Sequence, residues 1–252
     1  MNAKKLSFLL LILVAVACTN RSTSSEQDEM RHWNNVLQQI NALLLENKAR
    51  QTLDLAKQTL PEILESAEKN GTTDTLIYYA RKIFNACGNN YINTKQYKDG
   101  IDYMDSIGNH PLIREHCPHE LLSFKAGLNQ LYGNNPEAVR LAEDYLQLPV
   151  CTSANDFIRQ AEIISGVYMY SGNNLPKAIQ ILEKAIDVYR KGGNFPNMLR
   201  IMSRLGIYYH LSGEYEKAIA TNQEAIATYN DSIAPGNVVI AYGEQANLYA
   251  EL

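Results

Sequence analysis

Apolar residues recur at helical spacing along most of the chain. Trp33, Val36, Leu37, Ile40, Leu43 and Leu44 form one stripe, and Leu53, Ala56, Leu60, Ile63, Leu64 and Ala67 form a second. Intervals of three and four residues put these side chains on one side of a helix, so each stripe predicts a helix with one face on a core. Pro61 falls inside the second stripe, where it removes an amide donor and crowds the preceding turn, which predicts a kink or a division of that helix. Asn70-Gly71 ends it. Downstream, similar stripes alternate with glycine-bearing turns, and no segment shows the two-residue alternation of a half-buried strand. The expected class is all-α.

The stripes repeat. Ala138, Ala178 and Ala218 recur at intervals of 40 residues, within the related texts GNNPEA, SGNNLPKAI and LSGEYEKAI. Gly133, Gly172 and Gly213 stand where the first helix of each pair must stop, a place that favours the left-handed backbone glycine accepts. The clearest unit carries Met202, Leu205-Gly206, Tyr209, Gly213, Tyr215, Ala218 and Ala225. It resembles the tetratricopeptide repeat, whose first helix reads W-x2-L-G-x2-Y and whose second helix carries a small residue; Met202 stands for the tryptophan. Phe84, Cys87-Gly88, Tyr91, Tyr97 and Gly100 repeat the pattern, with Lys95 at the turn glycine. Ala161, Ile164-Ser165, Tyr168, Gly172, Ala178 and Ala185 repeat it with one extra turn residue, and Lys125-Ala126, Gly133 and Ala138 form a degenerate unit with Asn129 in place of tyrosine.

The resemblance implies a right-handed α-solenoid of antiparallel helix hairpins, with about four repeats and a partial fifth over residues 73–252. Residues 30–72 read as a degenerate N-terminal helix pair. Tyr91, Tyr168, Tyr209 and Tyr249 share one repeat position and are expected in the core, and Cys87 is expected as a buried thiol. The last segment, Val238 to Leu252, matches only the first helix of a unit. It carries large apolar residues, so the natural chain is expected to continue past Leu252.

The first residues follow a different pattern. Lys4 and Lys5 precede an apolar run from Leu6 to Ala17 that ends at Cys18. The run is too short for an ordinary membrane span and reads as an export signal over residues 1–17. Ala15-Val16-Ala17-Cys18 resembles the lipobox of bacterial lipoproteins, which implies cleavage before Cys18 and lipid on its sulfur. Residues 18–29 then read as the lipidated cysteine and a polar tether. The implied location is a bacterial membrane, on the periplasmic side, with the outer membrane preferred to the inner. Loss of the leader would take two lysines and no acid, moving the net charge from −4 to −6. That balance, without a basic stripe, argues against nucleic acid as a partner.

Candidate chemistry is sparse. No phosphate loop, HExxH, G-x-S-x-G or dinucleotide-binding glycine pattern is present, so no catalytic residue, metal or cofactor is expected. His116-Cys117-Pro118-His119-Glu120 could be marked as metal-binding, but Pro118 beside polar residues reads better as a turn entering a helix. Cys117 and Cys151 flank one predicted hairpin and could be bridged in an oxidising compartment, although two separate thiols are favoured. In the tetratricopeptide family the first helices line a concave groove that takes peptides or partner helices. Carried over, that role would fall to Lys82, Asn85, Asn89 and Asn93, to Arg159, Glu162 and Met169, and to Arg200, Ser203, Ile207 and His210. One subgroup clamps a C-terminal carboxylate with lysine, asparagine and arginine. Phe124 and Ile163 occupy two of the corresponding slots, so that clamp is not expected here. The implied function is a non-enzymatic protein- or peptide-binding scaffold on a lipid anchor. The alternative is the extracytoplasmic sensor region of a longer histidine kinase or transcriptional regulator.

Overall fold

The computed structural model describes residues 24–149, 154–192, 195–228 and 235–251, and all regular structure among them is helical. The expected leader, Cys18 and Cys151 lie outside the described residues, and the Cys117–Cys151 pairing with them. The helices are α1 (Ser24–Leu45), α2 (Ala49–Asn70), α3 (Asp74–Asn93), α4 (Tyr97–Gly108), α5 (Pro111–His116) and α6 (Pro118–Tyr132). They continue with α7 (Asn135–Gln147), α8 (Ala154–Tyr170), α9 (Leu175–Gly192), α10 (Phe195–Leu211), α11 (Tyr215–Thr228) and α12 (Pro235–Glu251). The chain forms two compact units, Met1–Cys87 and Gly88–Leu252, and the division falls inside α3.

One turn recurs through the chain. The amide of Gln96 bonds the Tyr91 carbonyl and the amide of Lys95 bonds that of Ile92, both at 3.1 Å. The same pair of bonds links Asn134 to Asn129 and Gly133 to Gln130, Glu214 to Tyr209 and Gly213 to His210, and Lys48 to Leu43 and Asn47 to Leu44. This pattern closes a helix C-terminus with a left-handed residue and satisfies carbonyls that would otherwise be orphaned. The left-handed residues are Asn47, Lys95, Gly133 and Gly213, with φ of 56°, 58°, 96° and 79°. The carbonyls of Lys48, Gln96, Asn134 and Glu214 then accept the first bond of the next helix, so no linker intervenes. In the α8–α9 connection the extra residue moves the left-handed site from the expected Gly172 to Asn173, at φ 44°. Asparagine tolerates that conformation because its short side chain can bond locally.

In the first unit, α1 packs on α2 through Trp33, Val36 and Ile40 against the stripe Leu53, Ala56, Leu60, Ile63 and Leu64. Three sequence expectations change here. The first helix starts at Ser24, inside the segment read as tether, and Glu29 in its second turn accepts a 2.8 Å hydrogen bond from Ser66 Oγ. Leu44, assigned to the apolar stripe, is exposed because the helix ends a residue later. Pro61 does not divide α2, which runs unbroken to Asn70. Pro61 is exposed, on the face of the helix turned away from the core.

The second unit is a tetratricopeptide-like stack. Hairpins α6–α7, α8–α9 and α10–α11 each close on themselves, and α6, α8, α10 and α12 pack in sequence as first helices. Each second helix also meets the next first helix: α4 with α6, α7 with α8, α9 with α10, and α11 with α12. The core runs continuously from Ala126 through Leu141, Tyr168, Leu182, Met202 and Tyr209 to Leu248. Small residues set the spacing. A Cβ on Gly88 would lie 2.4 Å from the Phe124 ring, and one on Gly100 would lie 3.0 Å from both Tyr91 Cβ and Leu128 Cδ1. Tyr91, Tyr168 and Tyr209 are buried as the repeat position predicts, and Cys87 is fully buried. Tyr249 is 56% exposed instead, because α12 has no further helix over that face among the described residues. Its hydroxyl lies near the side-chain amides of Gln223 and Gln245.

Candidate functional site

The His116–Glu120 cluster is a helix junction. Cys117 is fully buried, ends α5 through a 2.9 Å bond to the Ile113 carbonyl and begins α6, with Pro118 in the first turn. His119 Nε2 lies 2.7 Å from the Pro149 carbonyl, and its ring stands edge-on to Tyr145. Among the described residues no group of three or more His, Cys, Asp or Glu is placed to hold a metal ion. No described helix is long and apolar enough to cross a membrane.

The charged side chains divide by helix type. On the second helices, charges pair with neighbours. Arg140 holds Glu137 at 2.6 Å and Asp144 at 2.7 Å, Lys177 of α9 meets Glu143 of α7 at 2.6 Å, and Arg190 of α9 meets Glu224 of α11 at 2.7 Å. The Lys177 ammonium holds the Glu143 carboxyl below the usual carboxylate range. These are largely exposed pairs of small individual weight.

The first helices carry a different arrangement. Arg159 and Glu162 are three apart on α8, and Arg200 and Arg204 are four apart on α10, so each pair shares a helix face. Arg200 Nε lies 2.8 Å from Glu162 Oε1, and Arg159 Nη1 lies 3.6 Å from Glu162 Oε2. Arg159 Nε donates to Asn89 Oδ1 of α3 at 2.7 Å, and Arg204 Nη1 donates to the Glu162 main-chain carbonyl at 3.3 Å. The Glu162 side chain is 3% exposed, while Arg159 and Arg200 keep 35% and 40% of theirs in solvent. Two guanidiniums thus meet one carboxylate and a third reaches the main-chain carbonyl of the same residue, a local formal charge of +2. Burial, together with the neighbouring Arg200 and Arg204 cations, pushes Arg159 below its ordinary range, and Glu162 only partly opposes this.

Room for this cluster comes from Gly166, one turn along α8 from Glu162. A Cβ there would meet only Gln130 Oε1 at 3.8 Å and Arg204 Nη1 at 3.9 Å. Tyr208, one turn beyond Arg204 on α10, is buried beneath it, and burial raises its hydroxyl pKa against the pull of Arg204.

Of the residues assigned to a groove from the sequence, the fold brings together Asn89, Arg159, Glu162 and Arg200. Asn93 is exposed at the end of α3. Met169 and Ile207 are half-buried and pack on the core. Ser203 is buried and bonds the Leu199 carbonyl within its own helix. His210 Nδ1 lies 2.6 Å from Glu244 Oε1 of α12, a contact apart from the arginines. Lys82 and Asn85 belong to the first unit, where Lys82 Nζ lies over the Tyr78 ring at 5.8 Å. Arg204 was not foreseen, although its spacing from Arg200 marks it as a partner on the same face. Phe124 and Ile163, which replace polar residues of the carboxylate clamp, are apolar fillers. Phe124 faces Gly88, and Ile163 Cγ2 would lie 2.6 Å from a Cβ on Gly127.

Residues 161–231 match the family model described as tetratricopeptide repeat. No curated protein matches the chain. Among solved structures, BtubC (BKLC) from P. vanneervenii is similar with a TM-score of 0.63 at 11% identity, over 80% of this chain and 83% of that one. A kinesin light chain-like protein with nearly identical TPR-like repeats from Podosopora anserina gives a TM-score of 0.50 at 12% identity, over 79% and 95% of the two chains. A signal transduction ATPase with numerous domains and a tetratricopeptide repeat sensor, from Pyrococcus horikoshii, gives 0.62 at 17% identity. That match covers 92% of this chain and 38% of the ATPase. At these identities the likeness is one of fold: an all-α, tetratricopeptide-like solenoid.

Proposed function

We propose that this chain is a non-enzymatic scaffold that binds another protein or peptide on its first-helix face, held at a bacterial membrane by lipid on Cys18. One observation carries the binding reading: polar and charged side chains from α3, α8 and α10 converge on one site, while charges on the second helices are largely matched locally. Helix repeats of this kind bind through such a continuous face. Site-specific photocrosslinking in the native cell tests it. A crosslinker at Asn93 or in place of Gln130, on the first-helix face, should trap a discrete protein adduct. One in place of Glu216, exposed on α11, should not. Equal adducts at both faces, or none at the first-helix positions, would reject the reading.

The membrane part of the proposal is supported by the lysine, apolar run and Ala-Val-Ala-Cys order. Cys18→Ala is expected to move the protein from the membrane fraction to the soluble fraction and to abolish fatty-acid labelling, since buried acyl methylenes contribute about 0.8 kcal/mol each. Unchanged labelling would remove the anchor and leave the binding face standing. The same signal supports placing the anchored protein on the periplasmic side, with the outer membrane preferred to the inner.

A second reading, the sensor region of a longer histidine kinase or transcriptional regulator, draws on α12. Val239, Ile240, Tyr242 and Tyr249 expose 49–64% of their surface there, as a face prepared for another helix would. An open reading frame running past Leu252 into a membrane span and a signalling domain would favour this reading. A stop codon after Leu252 would favour the scaffold.

A further inference from the structure

We propose that Asn89, Arg159, Arg200 and Arg204 form a recognition site for the side-chain carboxylates of an acidic peptide segment, with buried Glu162 as the internal counter-ion that orients the arginines. The inference rests on the protein-binding reading above and gives it a ligand chemistry.

The argument starts from charge and access. Guanidiniums present paired donors in a planar fork that fits a carboxylate, and two or three on one face fix its position. Here three converge from α8 and α10 on one residue, Glu162, two at its carboxylate and the third at its main-chain carbonyl. That carboxylate is almost fully buried, whereas Arg159 and Arg200 keep over a third of their surface in solvent. Glu162 therefore anchors the cluster while Arg159 and Arg200 remain partly open to solvent. Its contacts are also incomplete as a counter-ion. Arg159 stands 3.6 Å away, beyond good hydrogen-bond distance, and Arg204 reaches only the backbone carbonyl. Crowded like charges in a half-buried place are relieved by an incoming anion, so binding gains from repulsion already present. Gly166 keeps the space beside Arg204 clear of any side chain of its own, and the Gln130 amide borders it, while the Asn89 amide stands beside Arg159.

A peptide is favoured as the occupant because the cluster draws side chains from three helices, α3, α8 and α10, and sets an amide beside its guanidiniums.

The test uses the full chain and a fluorescein-labelled tetra-aspartate peptide with an amidated end, read by fluorescence anisotropy, beside its tetra-asparagine counterpart and inorganic phosphate as competitor. The aspartate peptide should bind and the asparagine peptide should not, with affinity falling as salt rises. Arg159→Gln and Arg204→Gln should each weaken binding by about tenfold, the value of one charge-assisted partner. Glu162→Gln should strengthen it several-fold, because it removes the competing carboxylate and keeps the shape. A misfolded variant cannot give that gain. Equal binding of the two peptides, unchanged affinity in both arginine variants, or weaker binding in a folded Glu162→Gln protein would overturn the proposal. So would phosphate displacing the peptide at equal concentration, which would show a general anion site. The crosslinking result above is independent. A trapped partner with no acidic-peptide binding would sink this inference alone, and the reverse would sink the scaffold reading as framed.

Discussion

Gly88→Leu is expected to lower the melting temperature of this protein sharply. A Cβ at that position would fall 2.4 Å from the Phe124 ring, and a leucine must place three further carbons beyond it. Phe124 is fully buried, so relieving the clash requires its surroundings or the helices themselves to shift. Overpacking of this severity costs about 3 kcal/mol or more. For a chain of this size that corresponds to a drop of roughly 6–12 °C, followed by circular dichroism at the helical band. Gly243→Ala is the control. Nothing lies within 4 Å of its Cβ, it is exposed on α12, and alanine is the better helix former, so the midpoint should hold or rise slightly. A Gly88→Leu midpoint within about 2 °C of the parent would remove the alignment of Cys87-Gly88 with Leu205-Gly206, because that alignment makes Gly88 a contact point between successive first helices.

The repeat was legible because packing in a stack is periodic. Each unit meets its neighbours in the same way, so Gly88, Gly206, Ala138, Ala178 and Ala218 report one geometry several times. What the sequence concealed is set by neighbours that the period does not encode. Lys95 and Asn47 take the left-handed turn position that glycine marks elsewhere, because the hydrogen bonds of the closing turn outweigh the modest penalty for a side chain there. The short helix α5 came with no stripe of its own; six residues are too few to show a period. Tyr249 shares its motif position with three buried tyrosines and is exposed, since burial at that position comes from the next helix and not from the motif. Of the candidate site, Arg159, Glu162 and Arg200 were named through the repeat resemblance, and Arg204, four residues from Arg200, was missed. Their convergence on Asn89, 70 residues before Arg159, depends on how the hairpins stack, which no local pattern states.

Gly206 and Asn222 should show the strongest coupling of any pair in the second unit. A Cβ on Gly206 of α10 would sit 2.2 Å from Asn222 Oδ1 and 3.0 Å from its Cγ, across the hairpin on α11. Asn222 is fully buried, and neither its amide oxygen nor its nitrogen has a hydrogen-bond partner among the described residues. Gly206→Ala alone is therefore expected to destabilise by about 1–3 kcal/mol, as the methyl drives a trapped amide sideways. Asn222→Ala alone should be close to neutral. It gives up some packing and also removes a buried polar group that lacks a partner, two effects of opposite sign and similar size, each about 1–3 kcal/mol. In the double variant the new methyl enters the space the amide has left, and α10 exchanges a mid-helix glycine for alanine, which is worth about 1 kcal/mol. The double variant should thus melt above the parent and above both single variants, with a coupling energy of at least about 1 kcal/mol in the cycle. Additive effects would mean that the two residues do not touch. That would place the α10–α11 hairpin in a different register from the one that aligns Leu205-Gly206 and Ala218 with the tetratricopeptide pattern.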